Sequence, residues 1–202
     1  AGLKIIRERG RLMTEAGQKN PGAMAALLGL DIATTCTLCQ EASMEAGKPV
    51  VVANDNCPGQ VVISGNEQAL DLALEKAKAR GAKRAVKLAV SVAAHSPLME
   101  HSAEAFRKAL EATPFQAPSI PIVGNVSATP LLTREDILAE LGAQLTSSVR
   151  WTESVQALAS LGVKTFLEIG PKDVLTGLLK RIDRTATGVA LNSVESLTLV
   201  AI

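Results

Sequence analysis

The sequence has 202 residues, 47% of them hydrophobic and 20% charged, which is typical of a globular protein with a substantial core. Lys and Arg total 21 against 20 Asp and Glu, so the net charge of +1 creates no field that would favour nucleic acid or an anionic membrane. Three cysteines cannot form a disulfide framework, and no apolar run reaches the roughly 18 residues of a membrane span. We therefore expect a reducing, soluble compartment.

The first 13 residues predict a helix with Leu3, Ile6 and Met13 on its apolar face. The same spacing places Arg9 away from Leu3 and Ile6, on the polar side. The segment has neither an initiator Met nor a capping residue, so we expect the sequence to begin inside a structural element.

Residues 22–92 predict a β-α-β-β-α-β unit, the order of a split-βαβ, ferredoxin-like subdomain. Two β-branched runs, 49–54 and 60–64, flank the turn-rich DNCPG, and this predicts a loop that carries Asn54 and Asn56 between the two central strands. The period-two stretch from Val86 to Val92 predicts the closing strand.

The remainder alternates helices with short apolar strands, which predicts an α/β layer with a partly parallel sheet. Ser96 and Pro97 resemble the start of a helix, and Thr133 begins a capping box. Further helices are predicted over 134–142 and 153–161, with a strand over 163–170.

Candidate chemical groups are few. His95 stands at a predicted strand-to-helix junction, where α/β proteins commonly build sites, whereas His101 lies among polar helix residues. Cys36 and Cys39 form a C-x-x-C pair without a second pair or a nearby His, so no metal centre is predicted. The 202 residues contain no G-x-S-x-G nucleophile elbow and no Gly-rich phosphate loop.

Several short motifs nevertheless occur together in a specific order. The series is Arg7 to Met13 (RERGRLM), Gly22-Ala-Met-Ala, Asn54 to Gly65 (NDNCPGQVVISG), Gly81-Ala-Lys-Arg84, Val90 to Met99 (VSVAAHSPLM), Gly124-Asn-Val126, Gln144, and Leu167 to Pro171 (LEIGP). Taken together, it closely resembles the malonyl-CoA:acyl carrier protein transacylase family over essentially the whole sequence.

The resemblance implies an α/β-hydrolase-like large subdomain interrupted by a ferredoxin-like small one, with the active site in the cleft between them. The large subdomain would comprise residues 1–21 and 93–202, and the small one residues 22–92. The implied activity is transfer of malonyl from coenzyme A to the phosphopantetheine thiol of acyl carrier protein in fatty-acid synthesis, without a cofactor or metal. The implied enzyme is a monomer of the bacterial cytoplasm, with an organellar matrix as the alternative compartment.

The resemblance also implies roles for individual residues. His95 corresponds to the base of a Ser-His dyad, and the main-chain carbonyl of Gln144 orients its ring. Arg9 corresponds to the arginine that grips the malonyl carboxylate. Asn54 and Asn56 match an N-x-N motif that positions substrate, although Asp55 within it departs from the family. The acidic carrier protein needs a local basic patch, for which the candidates are Lys83 and Arg84.

The decisive departure from the family is the absence of its G-Q-G-S-Q loop and serine elbow, so we expect the isolated 202 residues to be inactive. One alternative is an acyltransferase domain of a polyketide synthase, which Val92-Ala-Ala-His95 disfavours because those domains carry other tetrads before the histidine. The other is a non-catalytic ferredoxin-like binding module, which would explain the missing nucleophile but not the set Arg9, His95 and Gln144.

Overall fold

A computed structural model describes residues 2–199. Its helices are α1 (Gly2–Lys19), α2 (Ile32–Ala46), α3 (Glu67–Ala79), α4 (Glu100–Glu111), α5 (Arg134–Ala143), α6 (Trp151–Ser160) and α7 (Val174–Ile182). Its strands are β1 (Ala23–Leu28), β2 (Val50–Cys57), β3 (Gln60–Gly65), β4 (Arg84–Lys87), β5 (Ile122–Val123), β6 (Pro130–Leu131), β7 (Val149–Arg150), β8 (Thr165–Ile169) and β9 (Thr187–Leu191). Short 3₁₀ helices lie at Pro97–Met99, directly before α4, and at Glu195–Leu199, after β9.

The main sheet has five strands in the order β4-β1-β3-β2-β7. The first four are antiparallel to their neighbours, and β7 joins the free edge of β2 in parallel at Asn54 and Asp55. Helices α2 and α3 cover one face of this sheet and close a fully apolar core around Leu27, Leu38 and Leu70. The opposite face carries a second small cluster of Met24, Ala53, Val62 and Ala94.

Local signals in the sequence account for this unit. The side chain of Asp31 caps α2 by accepting a hydrogen bond from the amide of Thr34, and Asn66 caps α3 in the same manner from Gln68. Gly47 ends α2 in the left-handed conformation that only glycine adopts at little cost. Period-two alternation in β1 turns Ala25 and Leu27 to the helices and Met24 to the other face.

Two predictions about this unit are wrong in detail. The strand predicted over Val86–Val92 stops at Lys87, because after Leu88 the amide of Val90 donates its hydrogen bond back to the carbonyl of Leu88 instead of to β1. Asn54 and Asn56 lie inside β2 rather than in a loop, and the tight turn is confined to Pro58 and Gly59. Two register shifts in β2, at Val52/Asn54 and Asp55/Cys57, mark bulges in the segment that carries both asparagines.

Helix α1 packs against α4 through a face that includes Met13 but neither Leu3 nor Ile6 of the predicted stripe. Leu12 and Ala16 are buried, whereas Leu3 and Ile6 are 85% and 68% exposed. The core that α1 shares with α4 also contains Met99, Phe106, Leu110 and Leu145. The prediction was wrong for Leu3 and Ile6 because they lie on a different side of the helix from Leu12 and Ala16, which contact the core.

The rest of the described chain forms short pairs of strands around these helices. Strands β5 and β6 are antiparallel, and β8 and β9 are parallel with α7 between them along the chain. The predicted strand 163–170 is thus present with slightly shorter bounds. Within residues 2–199, no helix is both long and apolar enough to cross a membrane.

Candidate active site

Main-chain carbonyl groups bind both the ring and the backbone amide of His95. Its Nδ1 lies 2.8 Å from the carbonyl oxygen of Gln144 and 3.2 Å from that of Ser147. Its amide donates a 3.0 Å hydrogen bond to the carbonyl of Leu145. Carbonyl oxygens only accept hydrogen bonds, so Nδ1 carries the proton and Nε2 of the neutral ring is left as the acceptor.

The end of α5 supplies these carbonyl groups. A capping box between Thr133 and Asp136 starts the helix, and Gln144 is its C-terminal cap. The last carbonyls of a helix have no partner within the helix, so one of them is free to accept the imidazole N–H. Leu145, which is buried in the core shared with α1 and α4, fixes the turn that follows.

The backbone of His95 is itself unusual. Its φ of 59° lies in the left-handed region, which costs a non-glycine residue roughly 1–3 kcal/mol unless its surroundings enforce it. Here three hydrogen bonds to the segment 144–147 impose the conformation. Ser96 then ends the strained stretch, because its side chain donates to Ala93 and accepts from Leu98 at the start of a 3₁₀ turn.

Arg9 reaches the same place from α1. Met13, one turn later on the same side of the helix, packs against the cluster that contains Ala94, the neighbour of His95. The Arg9 guanidinium is half-buried, and its Nε has no hydrogen-bond partner among the described residues. Burial lowers the pKa of Arg9, but a guanidinium keeps its charge in proteins. A buried, unsatisfied cationic donor is costly without an anion, so the site suits a carboxylate ligand.

The pKa of His95 reflects both neighbours. Burial lowers this pKa most, and the positive charge of Arg9 lowers it further, while the carbonyls of Gln144 and Ser147 oppose the change by stabilising the protonated ring. The net direction is downward from the usual value. The imidazole is therefore neutral at neutral pH, with Nε2 available to accept a proton.

Asn54 lies on the face of the sheet that the His95 segment crosses. It pairs directly with Val62 of β3, and directly paired residues share a face. Val62 packs with Met24 and Ala94. Asn56 follows two residues later in the bulged end of β2, and both asparagines are partly exposed.

Lys83 and Arg84 are not part of this cluster. Both are exposed at the start of β4, next to the end of β1, where the amide of Lys83 donates to the carbonyl of Leu28. No carboxylate of residues 2–199 forms an ion pair with either of them.

Reasoning from the sequence missed the contribution of Ser147. Its carbonyl is the second acceptor for Nδ1, and nothing in a sequence signals which main-chain group a ring will meet.

The C-x-x-C cysteines are free thiols on α2, and burial raises the pKa of Cys39 to about 12, so that thiol is unreactive. Across residues 2–199, no group of three or more His, Cys, Asp or Glu side chains is arranged to hold a metal ion.

The arrangement combines a proton acceptor, Nε2 of His95, with a half-buried cation on Arg9. Such a pair can deprotonate a nucleophile while it binds a substrate with an anionic end. The nearest serine in the sequence, Ser96, is fully buried with its hydroxyl engaged in two hydrogen bonds, so it cannot act as that nucleophile.

Comparison with known proteins identifies close relatives of this arrangement. Residues 1–199 match the model of the acyl transferase domain. The malonyl CoA-acyl carrier protein transacylases of Bacillus subtilis strain 168 and Escherichia coli K12 are 42% and 43% identical over 96% and 94% of this chain. The matched region is 61% of each relative, so the chain spans less than two thirds of their length.

Solved structures agree with the sequence relatives. The complex of a type II polyketide synthase acyl-carrier protein with its malonyl-transacylase, PlMCAT with AntF, matches at a TM-score of 0.92 and 42% identity, covering 96% of this chain and 62% of that one. The malonyl-CoA:acyl carrier protein transacylase of Xanthomonas oryzae matches at a TM-score of 0.91 and 42% identity, with 96% and 61% coverage. The described fold is accordingly a mixed α/β fold of the type seen in these transacylases.

Proposed function

Because the chain belongs to the acyl transferase domain family, we propose that it carries the histidine base and the substrate-binding arginine of a malonyl-CoA:acyl carrier protein transacylase of fatty-acid synthesis. The observation that carries the proposal is the meeting of Arg9 with a His95 whose Nδ1–H is bound to the Gln144 carbonyl. The relatives at 42% and 43% identity bear the corresponding name. A malonyl thioester has the carboxylate that Arg9 requires.

The reaction divides into two transfers through one acyl-serine. A serine hydroxyl gives its proton to Nε2 of His95 as its oxygen bonds to the thioester carbonyl carbon of malonyl-CoA. The carbon–sulfur bond then breaks, and the coenzyme A thiolate takes the proton back from Nε2. The phosphopantetheine thiol of the carrier protein repeats these steps in reverse order. The 202 residues contain no serine elbow, so we assign the nucleophile to a part of the complete enzyme outside them and expect this chain alone to be inactive.

Each polar group of the site has a role in this scheme. The Gln144 carbonyl keeps the proton on Nδ1 and stabilises the imidazolium that forms after proton transfer, as the carboxylate of a triad would. The fork of Arg9 holds the malonyl carboxylate through two parallel hydrogen bonds. Asn54 and Asn56 position the substrate from the sheet, and Lys83 and Arg84 attract the acidic carrier protein. The enzyme needs no metal or cofactor for these steps.

We assign the site to a cleft between two subdomains. Residues 22–92 form the ferredoxin-like one, which the antiparallel order β4-β1-β3-β2 with two helices on one face supports. Residues 1–21 and 93–202 belong to the α/β-hydrolase-like one. The pairing of β7 with β2 crosses this boundary and helps to join the two. We propose that the enzyme is a monomer and that it acts in the cytoplasm.

Substitution of Arg9 in the complete enzyme tests the proposal. Arg9→Ala should lower kcat/KM for malonyl-CoA. The corresponding loss of transition-state stabilisation should be about 2–4 kcal/mol, the usual loss when a desolvated charge pair is broken. Acetyl-CoA has no carboxylate, so its turnover should fall little or rise, and Arg9→Lys should lie between the two. His95→Ala should slow acyl-enzyme formation from either substrate by at least ~100-fold.

Arg7→Ala is the matched control, because Arg7 is an exposed arginine on the same helix. The quantity to compare is the malonyl-to-acetyl ratio of kcat/KM. A ratio that Arg9→Ala leaves unchanged would contradict the role of Arg9, and normal acylation of the His95→Ala enzyme would contradict the whole proposal.

A further inference from the structure

One motif of the sequence, Gly124-Asn-Val126, has no role in the reaction proposed above. In the structure it begins a turn that surrounds the carboxylate of Glu140, a residue of α5 that is 6% exposed. One carboxylate oxygen accepts 2.7 Å hydrogen bonds from the amides of Asn125 and Val126, and the other accepts a 3.2 Å bond from the amide of Ser127. Three consecutive main-chain amides thus bind one buried negative charge.

The close approach of Glu140 to this turn depends on a glycine. A Cβ on Gly124 would lie 2.3 Å from Oε2 of Glu140, so a side chain at position 124 would displace the carboxylate from the amides. Within residues 2–199, no cation forms an ion pair with Glu140. A buried carboxylate is costly unless hydrogen bonds replace its water, so Glu140 is stable in this place only while it keeps the turn beside it.

The same turn is bound from its other side by β7 and α6. The guanidinium of Arg150 donates to the carbonyls of Val126 and Ser127 at 3.3 and 3.0 Å. The hydroxyl of Ser154 lies 2.9 Å from the carbonyl oxygen of Gly124. Because Arg150 belongs to β7, which pairs with β2, the turn has a fixed place beside the main sheet. Glu140 fixes α5 to that place.

Glu140 stands one helical turn before Gln144, on the same side of α5. The carbonyls of Gln144 and Ser147 lie 2.8 and 3.2 Å from Nδ1 of His95. The amide of Ser147 in turn donates to the carbonyl of Ala143, the last residue of the helix. The position of both carbonyls therefore depends on where α5 ends, and Glu140 is the most buried residue of α5.

We infer that Glu140 is a positioning residue for acyl transfer, whose carboxylate fixes the end of α5 to turn 124–127 and so keeps the Gln144 and Ser147 carbonyls on Nδ1 of His95. This inference rests on the proposed function and adds a residue that acts only through others. The ring of His95 must keep its orientation, with the proton on Nδ1, while Nε2 accepts the proton of the serine. A misplacement of about 1 Å in such a group can cost roughly a hundredfold in rate.

The test measures the rate of acyl-enzyme formation from malonyl-CoA and from acetyl-CoA by the complete enzyme. Glu140→Gln keeps the size of the side chain and an oxygen for the two short bonds, but its amide group faces the amide of Ser127, so acylation should slow roughly twofold to fivefold. Glu140→Ala loses all three bonds and should slow acylation roughly tenfold to a hundredfold. Both substrates should be affected equally, because Arg9, the residue proposed to select malonyl, lies on α1.

The pH dependence of acylation separates positioning from a simple loss of folded enzyme. Burial and the charge of Arg9 lower the pKa of His95, while the carbonyls of Gln144 and Ser147 raise it. Of the described charged side chains, Arg9 is the one that affects this pKa. In the Glu140 variants the carbonyls bind Nδ1 less well, so the pKa should fall and the acid limb should move to lower pH. Partial unfolding would reduce the height of the profile and leave the limb in place.

The matched control is Glu135→Gln, because Glu135 is an exposed acid on the same helix, and it should change neither the rate nor the limb. If Glu140→Ala does not fold, Glu140→Gln still decides, since an unchanged rate and limb in that variant would overturn the inference. A slower rate with an unmoved limb would overturn it in favour of a purely structural role. A changed malonyl-to-acetyl ratio would overturn it in favour of a role in substrate binding.

The inference and the proposed function fail in different ways. If Glu140→Gln behaves like the unaltered enzyme while His95→Ala forms acyl-enzyme slowly, only the inference is wrong. If the unaltered enzyme forms no acyl-enzyme from malonyl-CoA, the proposed function itself is wrong.

Discussion

Apolar side chains are buried in the sheet between Ala23 and Lys87 but largely exposed in the strand pair β8–β9. In the sheet, Leu27 of β1 is fully buried beneath α2 and α3. In the pair, Ile169 of β8 is 82% exposed, and Leu167 is also in contact with solvent. Parallel strands are normally covered on both faces, and β8 has the apolar sequence typical of such a strand. Among the described residues, however, nothing covers the face that carries Leu167 and Ile169. An apolar strand therefore indicates burial only together with the elements that cover it.

The largest expected effect comes from the sheet core. Leu27→Ala should destabilise the 202-residue chain by about 2–5 kcal/mol, because it removes buried methyl groups and leaves a cavity beneath two helices. Ile169→Ala should change the free energy of unfolding by less than about 0.5 kcal/mol, since that side chain loses little contact. Urea unfolding of both variants measures the difference. Equal losses would mean that β8 has its own buried surroundings and that the two regions do not differ.

A pair of glycines sharpens the comparison at the level of the backbone. A Cβ on Gly65 of β3 would lie 2.3 Å from the carbonyl oxygen of Pro49 and 2.5 Å from Cα of Val50, whereas nothing lies within 4 Å of a Cβ on Gly142 in α5. Gly65→Ala should therefore cost about 1–3 kcal/mol or more from overpacking against main-chain atoms. Gly142→Ala should stabilise the helix by up to ~1 kcal/mol. Thermal unfolding reports both, and a stable Gly65→Ala variant would show that the two strands can separate without cost.

The smallest expected effect concerns His95, whose neighbour Ala94 packs against the sheet. Its pKa is lowered by burial and by Arg9, so the base stays deprotonated and active below the pH at which a free histidine, with a pKa of about 6.5, would lose activity. In the complete enzyme, the acid limb of acylation by acetyl-CoA should move to higher pH in Arg9→Gln, because one of the two lowering influences is gone. Arg7→Gln should leave the limb in place. A limb that moved to lower pH in Arg9→Gln would reverse the assigned sign.

The sequence predicted the parts of this protein that depend on local signals. The capping box that Thr133 begins is present, and α5 and α6 lie close to the helices predicted over 134–142 and 153–161. The family resemblance singled out Arg9, His95 and Gln144, and their roles stay predictions.

Features that depend on distant partners could not be predicted in the same way. The closing strand stops at Lys87 because the amide of Val90 bonds back to the carbonyl of Leu88, and Leu3 is exposed because α4 contacts another face of α1. The second carbonyl on His95 belongs to a turn 52 residues away, and main-chain contacts of this kind depend on the fold and leave no residue pattern.

That carbonyl cradle has a consequence for how the site tolerates genetic change. A histidine oriented by an aspartate loses its partner through a single codon substitution, whereas every amino acid at positions 144 and 147 brings the same main-chain oxygen. Drift in those codons should be harmless as long as α5 ends where it does. Selection would then act on the length of the helix and turn, so insertions and deletions between Ala143 and Ser148 should be far more damaging than replacements at positions 144 and 147.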